Sequence, residues 1–157
     1  MTQQRPRPIL VFGYGNPSRG DDALGPELIE RLREVMKGTP LVERIDLLTD
    51  FQLQIEHILD LAGREQVIFV DAALSLAEPF EFKLLAPDES ISYTTHAMHP
   101  ASIIKLYADH FSKAAPPCHM FSIRGHQFEL GQPLSREGEV NLNDALGFLL
   151  KLIEGEW

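Results

Sequence analysis

QVIFVD (66–71) holds four apolar residues in succession, Val67 to Val70, and ends on a carboxylate. A strand tolerates apolar side chains at every position only when both of its faces are covered, which is the situation of a parallel sheet lying between helices. PILVFGY (8–14) has the same character. The segment that follows it, DALGPELIERLREVMK (22–37), changes period: Leu24, Leu28, Leu32 and Val35 share one helical face, while Glu27, Arg31, Arg33 and Glu34 fall outside it. Gly38 and then Pro40 supply the stop. Further on, LVERIDLL (41–48) predicts a second strand and QLQIEHILDLA (52–62) a short helix closed by Gly63. PFEFKLL (79–85) alternates Phe80, Phe82 and Leu84 against Glu81 and Lys83, the pattern of a half-exposed edge strand. A helix over 99–113, a strand over 119–125 and a final helix over 140–154 complete the alternation.

Strands alternating with helices predict a single-domain α/β three-layer sandwich: a twisted, mostly parallel five-stranded sheet with helices on both faces and one antiparallel edge strand. A chain of 157 residues fits one such domain, with residues 1–7 expected to be flexible. In folds of this kind functional groups gather at the carboxyl ends of the strands.

Fourteen Lys and Arg against 23 Asp and Glu give a formal charge of −9, which disfavours nucleic acid and anionic membranes as partners. A single cysteine, Cys118, excludes an internal disulfide and suits a reducing cytoplasm. MTQQRPRP carries no apolar run, so no secretory signal is expected, and no stretch reaches the length of a membrane span.

Gly13-Tyr14-Gly15 follows a strand and precedes a helix, as in dinucleotide-binding turns. Two features oppose that role. Ser18, preceded by Pro17, stands where a third small residue is wanted, and Asp21 and Asp22 already occupy the helix N-terminus that a phosphate would need. One aspartate of the pair is expected to cap the helix, leaving the other to face the cleft beyond the first strand. Asp71 ends the third strand, where a carboxylate is costly unless it is paired, hydrogen-bonded or liganded. If the first and third strands are neighbours, these acids open into one crevice. YTTHAMHPASIIKLYADHF adds His96 in a Thr-rich loop and His99 directly before Pro100. Two carboxylate positions and an imidazole make a mixed O/O/N set suited to a borderline divalent ion such as nickel or zinc. His57 and His110 sit among polar neighbours and are expected at the surface; His119 and His126 flank the last strand. Cys118 lacks a histidine partner, because His119 beside it would point to the opposite face of a strand.

In their order and spacing, GYGNPSRGDDALGPELIERL, VIFVDAAL, THAMHPASIIKLY and IRGHQFELGQPLS resemble the nickel–iron hydrogenase maturation endopeptidases. The resemblance runs from about Ile9 to the last helix. QLQIEHILDLA and HQFELGQPLS look most like the members that serve soluble, NAD-linked hydrogenases. It implies an enzyme that cuts a C-terminal extension from the hydrogenase large-subunit precursor once nickel has been inserted. It also implies Asp22, Asp71 and His96 as the catalytic and metal-facing residues, with Asp21, Asn16 and Gly15 in support and His99 as an additional imidazole near the site. Ala23 departs from the glycine common at its place, and Asp22 stands where some members carry Glu. Nickel is expected as an element sensed in the substrate, with no resident organic cofactor; the partner is the precursor, and the enzyme a cytoplasmic monomer. Two rivals are a non-catalytic nickel-binding maturation chaperone and a nucleotide-binding module.

Overall fold

The computed structural model describes residues 5–87 and 98–155. Five strands form one sheet: β1 (Ile9–Tyr14), β2 (Ile45–Asp50), β3 (Gln66–Ala73), β4 (Phe80–Leu84) and β5 (Cys118–Arg124), in the spatial order β2-β1-β3-β5-β4. All pairings are parallel except that of β4 with β5, so the antiparallel edge strand expected from the Phe80/Phe82 alternation is present. The helices are α1 (Leu24–Met36), α2 (Ile58–Leu61), α3 (Pro100–Phe111) and α4 (Arg136–Glu154).

The strand register explains why β1 and β3 are apolar throughout. Val11, Ile68, Val70, Phe121 and Ile123 face one core with Leu28, Leu32, Leu142 and Leu149 of α1 and α4. Leu10, Phe12, Val67 and Phe69 face a second core with Leu61, Ile103 and Tyr107 of α2 and α3. Each strand therefore serves two hydrophobic layers, and every residue of β1 is buried. Helix α1 lies unusually close to the sheet at its start. A methyl group at Gly25 would come within 2.6 Å of the Val70 carbonyl oxygen and 2.7 Å of the Tyr14 carbonyl oxygen. The early glycines thus serve backbone approach of helix to strand. Arg31 of α1 then bonds Glu139 of α4 at 2.7 Å, joining the two helices on their shared face.

Several expectations require correction. Thr39 caps a 3-10 turn over Pro40–Glu43, so the second strand begins only at Ile45 and runs on to Asp50. Val35 is 45% exposed, and Met36 takes its place in the core at 3%. The last helix starts at Arg136, four residues before position 140, because the Ser135 hydroxyl accepts from Gly138 N at 2.9 Å and caps it there. Arg7, expected in a flexible leader, is tied to the edge of the sheet. Its N–H and guanidinium reach Asp46 at 3.1 and 2.8 Å, and Arg64 bonds both Asp46 and the Arg7 carbonyl. Residues 1–4 lie outside the described residues. Among the described residues no helix is long and apolar enough to cross a membrane.

Candidate active site

The sheet order creates a topological switch. From β1 the chain passes through α1 to β2 on one side, then returns through α2 to β3 on the other. A crevice forms beyond the carboxyl ends of adjacent parallel strands where the connections diverge in this way. Gly13 pairs with Val70, so Tyr14, the last residue of β1, and Asp71 stand at the same level. β3 itself runs on to Ala73 beside β5, so Asp71 lies where β1 stops and not, as expected from the sequence, where β3 does. The short 3-10 turn Gly20–Ala23 and the start of α1 sit above them, which brings Asp22 to the rim of this crevice.

Asp22 is fixed by its own turn. Its Oδ2 accepts from Asn16 N at 2.7 Å, and Asn16 Oδ1 accepts from Ser18 N at 2.9 Å. Gly15 makes this possible. Its φ of +148° suits glycine, and a methyl group there would lie 2.0 Å from the Asp22 carbonyl oxygen. Asp71 lies in β3 just past the end of β1, its Oδ1 accepting from Ala72 N at 2.8 Å. Burial drives its carboxyl up to about 7; the Ala72 N–H opposes this, and the negative charge of Asp22 adds to it. Asp22 and Asp71 are therefore within electrostatic reach of each other. The Tyr14 hydroxyl is pushed well above its ordinary range, by burial first and by Asp71 second.

Asp21 does something else. It does not cap its own helix, whose start carries no side-chain cap. It is fully buried and reaches across to the segment before α4. Its Oδ2 accepts from His126 N at 2.7 Å, Gln127 N at 3.1 Å and the Ser135 hydroxyl at 2.6 Å, and its Oδ1 accepts from Ser135 N at 2.7 Å. Burial alone would raise its pKa. The Ser135 hydroxyl and the N–H groups of His126, Ser135 and Gln127 outweigh that and hold the carboxyl below its ordinary value. The two neighbouring acids thus divide their work: Asp21 locks the 126–135 segment to the site turn, and Asp22 faces the crevice.

The histidines sort differently from the sequence expectation. His99 caps α3, its Nδ1 accepting from Ala101 N at 3.1 Å. His57, expected at the surface, is buried at 6% exposure. Its Nδ1 accepts from Gln54 N at 2.8 Å, so Nε2 carries the proton toward Asp50 Oδ2 at 3.2 Å. The signal for this pair was hidden. Placing the second strand over 41–48 left Asp50 in a loop, and the polar neighbours Glu56 and Asp60 made position 57 look exposed. Asp50 lines a groove of about 360 Å³ beside the turn, with Gly15, Pro17, Pro26, Thr49 and Phe51. His110 is exposed, as expected. His96 lies outside the described residues; among those described, no three His, Cys, Asp or Glu side chains group closely enough to hold a metal ion. Cys118 is buried, donates to the Pro116 carbonyl at 3.2 Å, and has its thiol pushed up to about 12 by burial. That thiol is no nucleophile at neutral pH.

No protein-family model matches the chain. Its sequence is 26% identical over 162 aligned positions to a protein of Methanocaldococcus jannaschii that bears a provisional hydrogenase maturation protease name, covering 93% of this chain and 88% of that one. Among solved structures, the hydrogenase maturating endopeptidase HybD of E. coli matches with a TM-score of 0.72 at 20% identity, over 93% of this chain and 91% of that one. The nickel–iron hydrogenase maturation protease HycI of Thermococcus kodakarensis matches with a TM-score of 0.70 at 21% identity, over 96% and 94% of the two chains. These structural neighbours are hydrogenase maturation proteases, and the chain has their fold.

Proposed function

We propose that this protein is a hydrogenase maturation endopeptidase, which removes the C-terminal extension of a nickel–iron hydrogenase large-subunit precursor after nickel insertion. One observation carries the proposal: in a chain of this fold, Asp22 and Asp71 lie within electrostatic reach of each other near the β1/β3 switch point, and burial raises the Asp71 carboxyl to about 7. In this scheme nickel belongs to the substrate. Its open coordination positions take up the Asp22 and Asp71 carboxylates together with His96, so a precursor without nickel docks poorly and stays uncut. A carboxyl near 7 is suited to take a proton from the attacking water and later return it to the leaving amine. The nickel of the substrate supplies polarisation of the scissile carbonyl. We place the enzyme in the cytoplasm as a monomer, in keeping with its free, buried cysteine.

The test is trimming of purified precursor followed by intact-mass spectrometry. Nickel-loaded precursor is expected to lose its extension and nickel-free precursor to keep it. His96→Ala is expected to slow trimming by about 100-fold or more, the scale on which lost electrostatic stabilisation at a reacting group is felt. Undiminished cleavage by that variant removes His96 from the scheme. A protein that binds the nickel-loaded precursor and leaves its mass unchanged is a maturation chaperone instead.

A further inference from the structure

The buried His57 plays no part in the chemistry above, yet both of its ring nitrogens are committed. Nδ1 accepts from Gln54 N at 2.8 Å and Nε2 donates to Asp50 Oδ2 at 3.2 Å. Capping Gln54 N asks for no imidazole, because a Glu or Gln three residues on is the usual partner there. What the imidazole adds is a second, rigid arm that points at Asp50. The other Asp50 oxygen, Oδ1, accepts from Phe51 N at 2.7 Å. That bond closes over the peptide between residues 50 and 51, so the carboxylate and the Asp50 carbonyl turn together. The carbonyl in turn accepts from Gly15 N at 3.1 Å, one residue past the Tyr14–Asp50 pair on which β1 and β2 both end. Gly15 leads directly into Asn16, whose N–H holds Asp22 Oδ2 at 2.7 Å. A continuous path of bonds thus runs from His57 through Asp50 and Gly15 to the turn of Asp22.

Resting on the proposed function, we infer that His57 is a positioning residue for the reaction: through Asp50 it holds the Gly15–Asp22 turn, and with it the Asp22 carboxylate, in the orientation that meets the precursor. The arrangement is well placed for this. The ring is 6% exposed and lies edge-on to Phe12 of β1 with centroids 4.7 Å apart, so it is wedged between the two strands whose ends it ties together. Asp50 also lines the groove beside the turn, so the same bond steadies that wall of the groove. A partner one bond removed from the reacting groups sets their geometry without touching the substrate.

The test compares His57→Gln, His57→Asn, Asp50→Asn and the His57→Asn/Asp50→Asn double variant with the wild type, with melting curves to show which are folded. Both amides at position 57 offer an oxygen to Gln54 N, and only the longer glutamine also brings an N–H to Asp50. The amide of Asp50→Asn accepts from Phe51 N or from His57, but not from both. For trimming of nickel-loaded precursor, kcat/KM is expected to fall about tenfold in His57→Asn and in Asp50→Asn, and no further in the double variant. His57→Gln is expected to stay within about twofold of the wild type. Hydrogen exchange at the Gly15 and Asn16 N–H groups is expected to quicken in the slow variants and not in His57→Gln. Equal rates in His57→Gln and His57→Asn reduce His57 to a cap and overturn the proposal, as do effects of His57→Asn and Asp50→Asn that add in full. If His57→Asn does not fold, Asp50→Asn decides, and wild-type trimming by it overturns the proposal. If the wild type leaves the precursor uncut, the protease reading falls, and amide exchange alone decides whether the path from His57 to the Asp22 turn exists.

Discussion

Asp21→Ala is expected to cost about 3–5 kcal/mol of stability at pH 7, the range for breaking a buried charged network. For a domain of this size that lowers the melting temperature by on the order of 10 °C. The side chain is fully buried, and its loss strands the N–H groups of His126, Gln127 and Ser135 and the Ser135 hydroxyl. It also removes the tie between the site turn and the cap of α4. Asp21→Asn keeps the volume, but its amide presents N–H groups where the pocket offers only donors, so it recovers little. The pH dependence separates these effects. Asp21 titrates below its ordinary value when folded, so its contribution is complete above the unfolded carboxyl range and is lost as pH falls through the folded one. Urea unfolding from pH 7 downward is expected to show the gap between wild type and Asp21→Asn closing with acid. A gap of constant size would deny the carboxylate charge any role.

Asp71→Asn is expected to do the opposite. Burial, with the charge of Asp22 behind it, raises the Asp71 carboxyl from 3.8 to about 7. The folded protein therefore holds a proton that the unfolded chain has released, and wild-type stability falls as pH rises from the unfolded value to the folded one, then levels off. Asparagine keeps an acceptor for Ala72 N and carries no charge. The variant should gain about 2–4 kcal/mol over the wild type at pH 8, from a shift of roughly three pH units at about 1.4 kcal/mol each, and little at pH 4. Denaturant melts at the two pH values measure this. An Asp71→Asn variant no more stable than wild type at pH 8 would mean that the carboxylate is better solvated than its burial indicates. An acid that destabilises its own fold, retained in a central strand, is the trade expected of a functional group.

Much of this architecture can be read from residue order because β1 and β3 are apolar on both faces, which a strand tolerates only between two covering layers. The same pattern placed Asp71 at a strand end, whereas β3 runs on to Ala73 against β5 and it is the neighbouring β1 that stops at the level of Asp71. Edge elements were harder to delimit. LVERIDLL offers apolar residues in either register, and only the Thr39 cap and Pro40 turn push the strand on to Asp50. The start of α4 was obscured by Gly138 in its first turn, where a helix start is not sought. Contacts between distant residues left no trace at all. Asp21 and Ser135 stand 114 positions apart, and two adjacent aspartates before an apolar helix look like capping residues until the segment that turns back onto one of them is known. His57 fails for a related reason: its neighbours in sequence are polar, while its ring packs edge-on to Phe12 at 4.7 Å.

Joint action of the Asp22 and Asp71 carboxylates on a nickel-loaded precursor is the center of this mechanism. It is tested most directly by the mass of the large subunit after incubation with wild type, Asp22→Ala or Asp71→Asn, each confirmed as folded by its melting curve. The shortened subunit is expected from the wild type, and the full-length precursor from both variants. Trimming at the wild-type rate by either folded variant would contradict it.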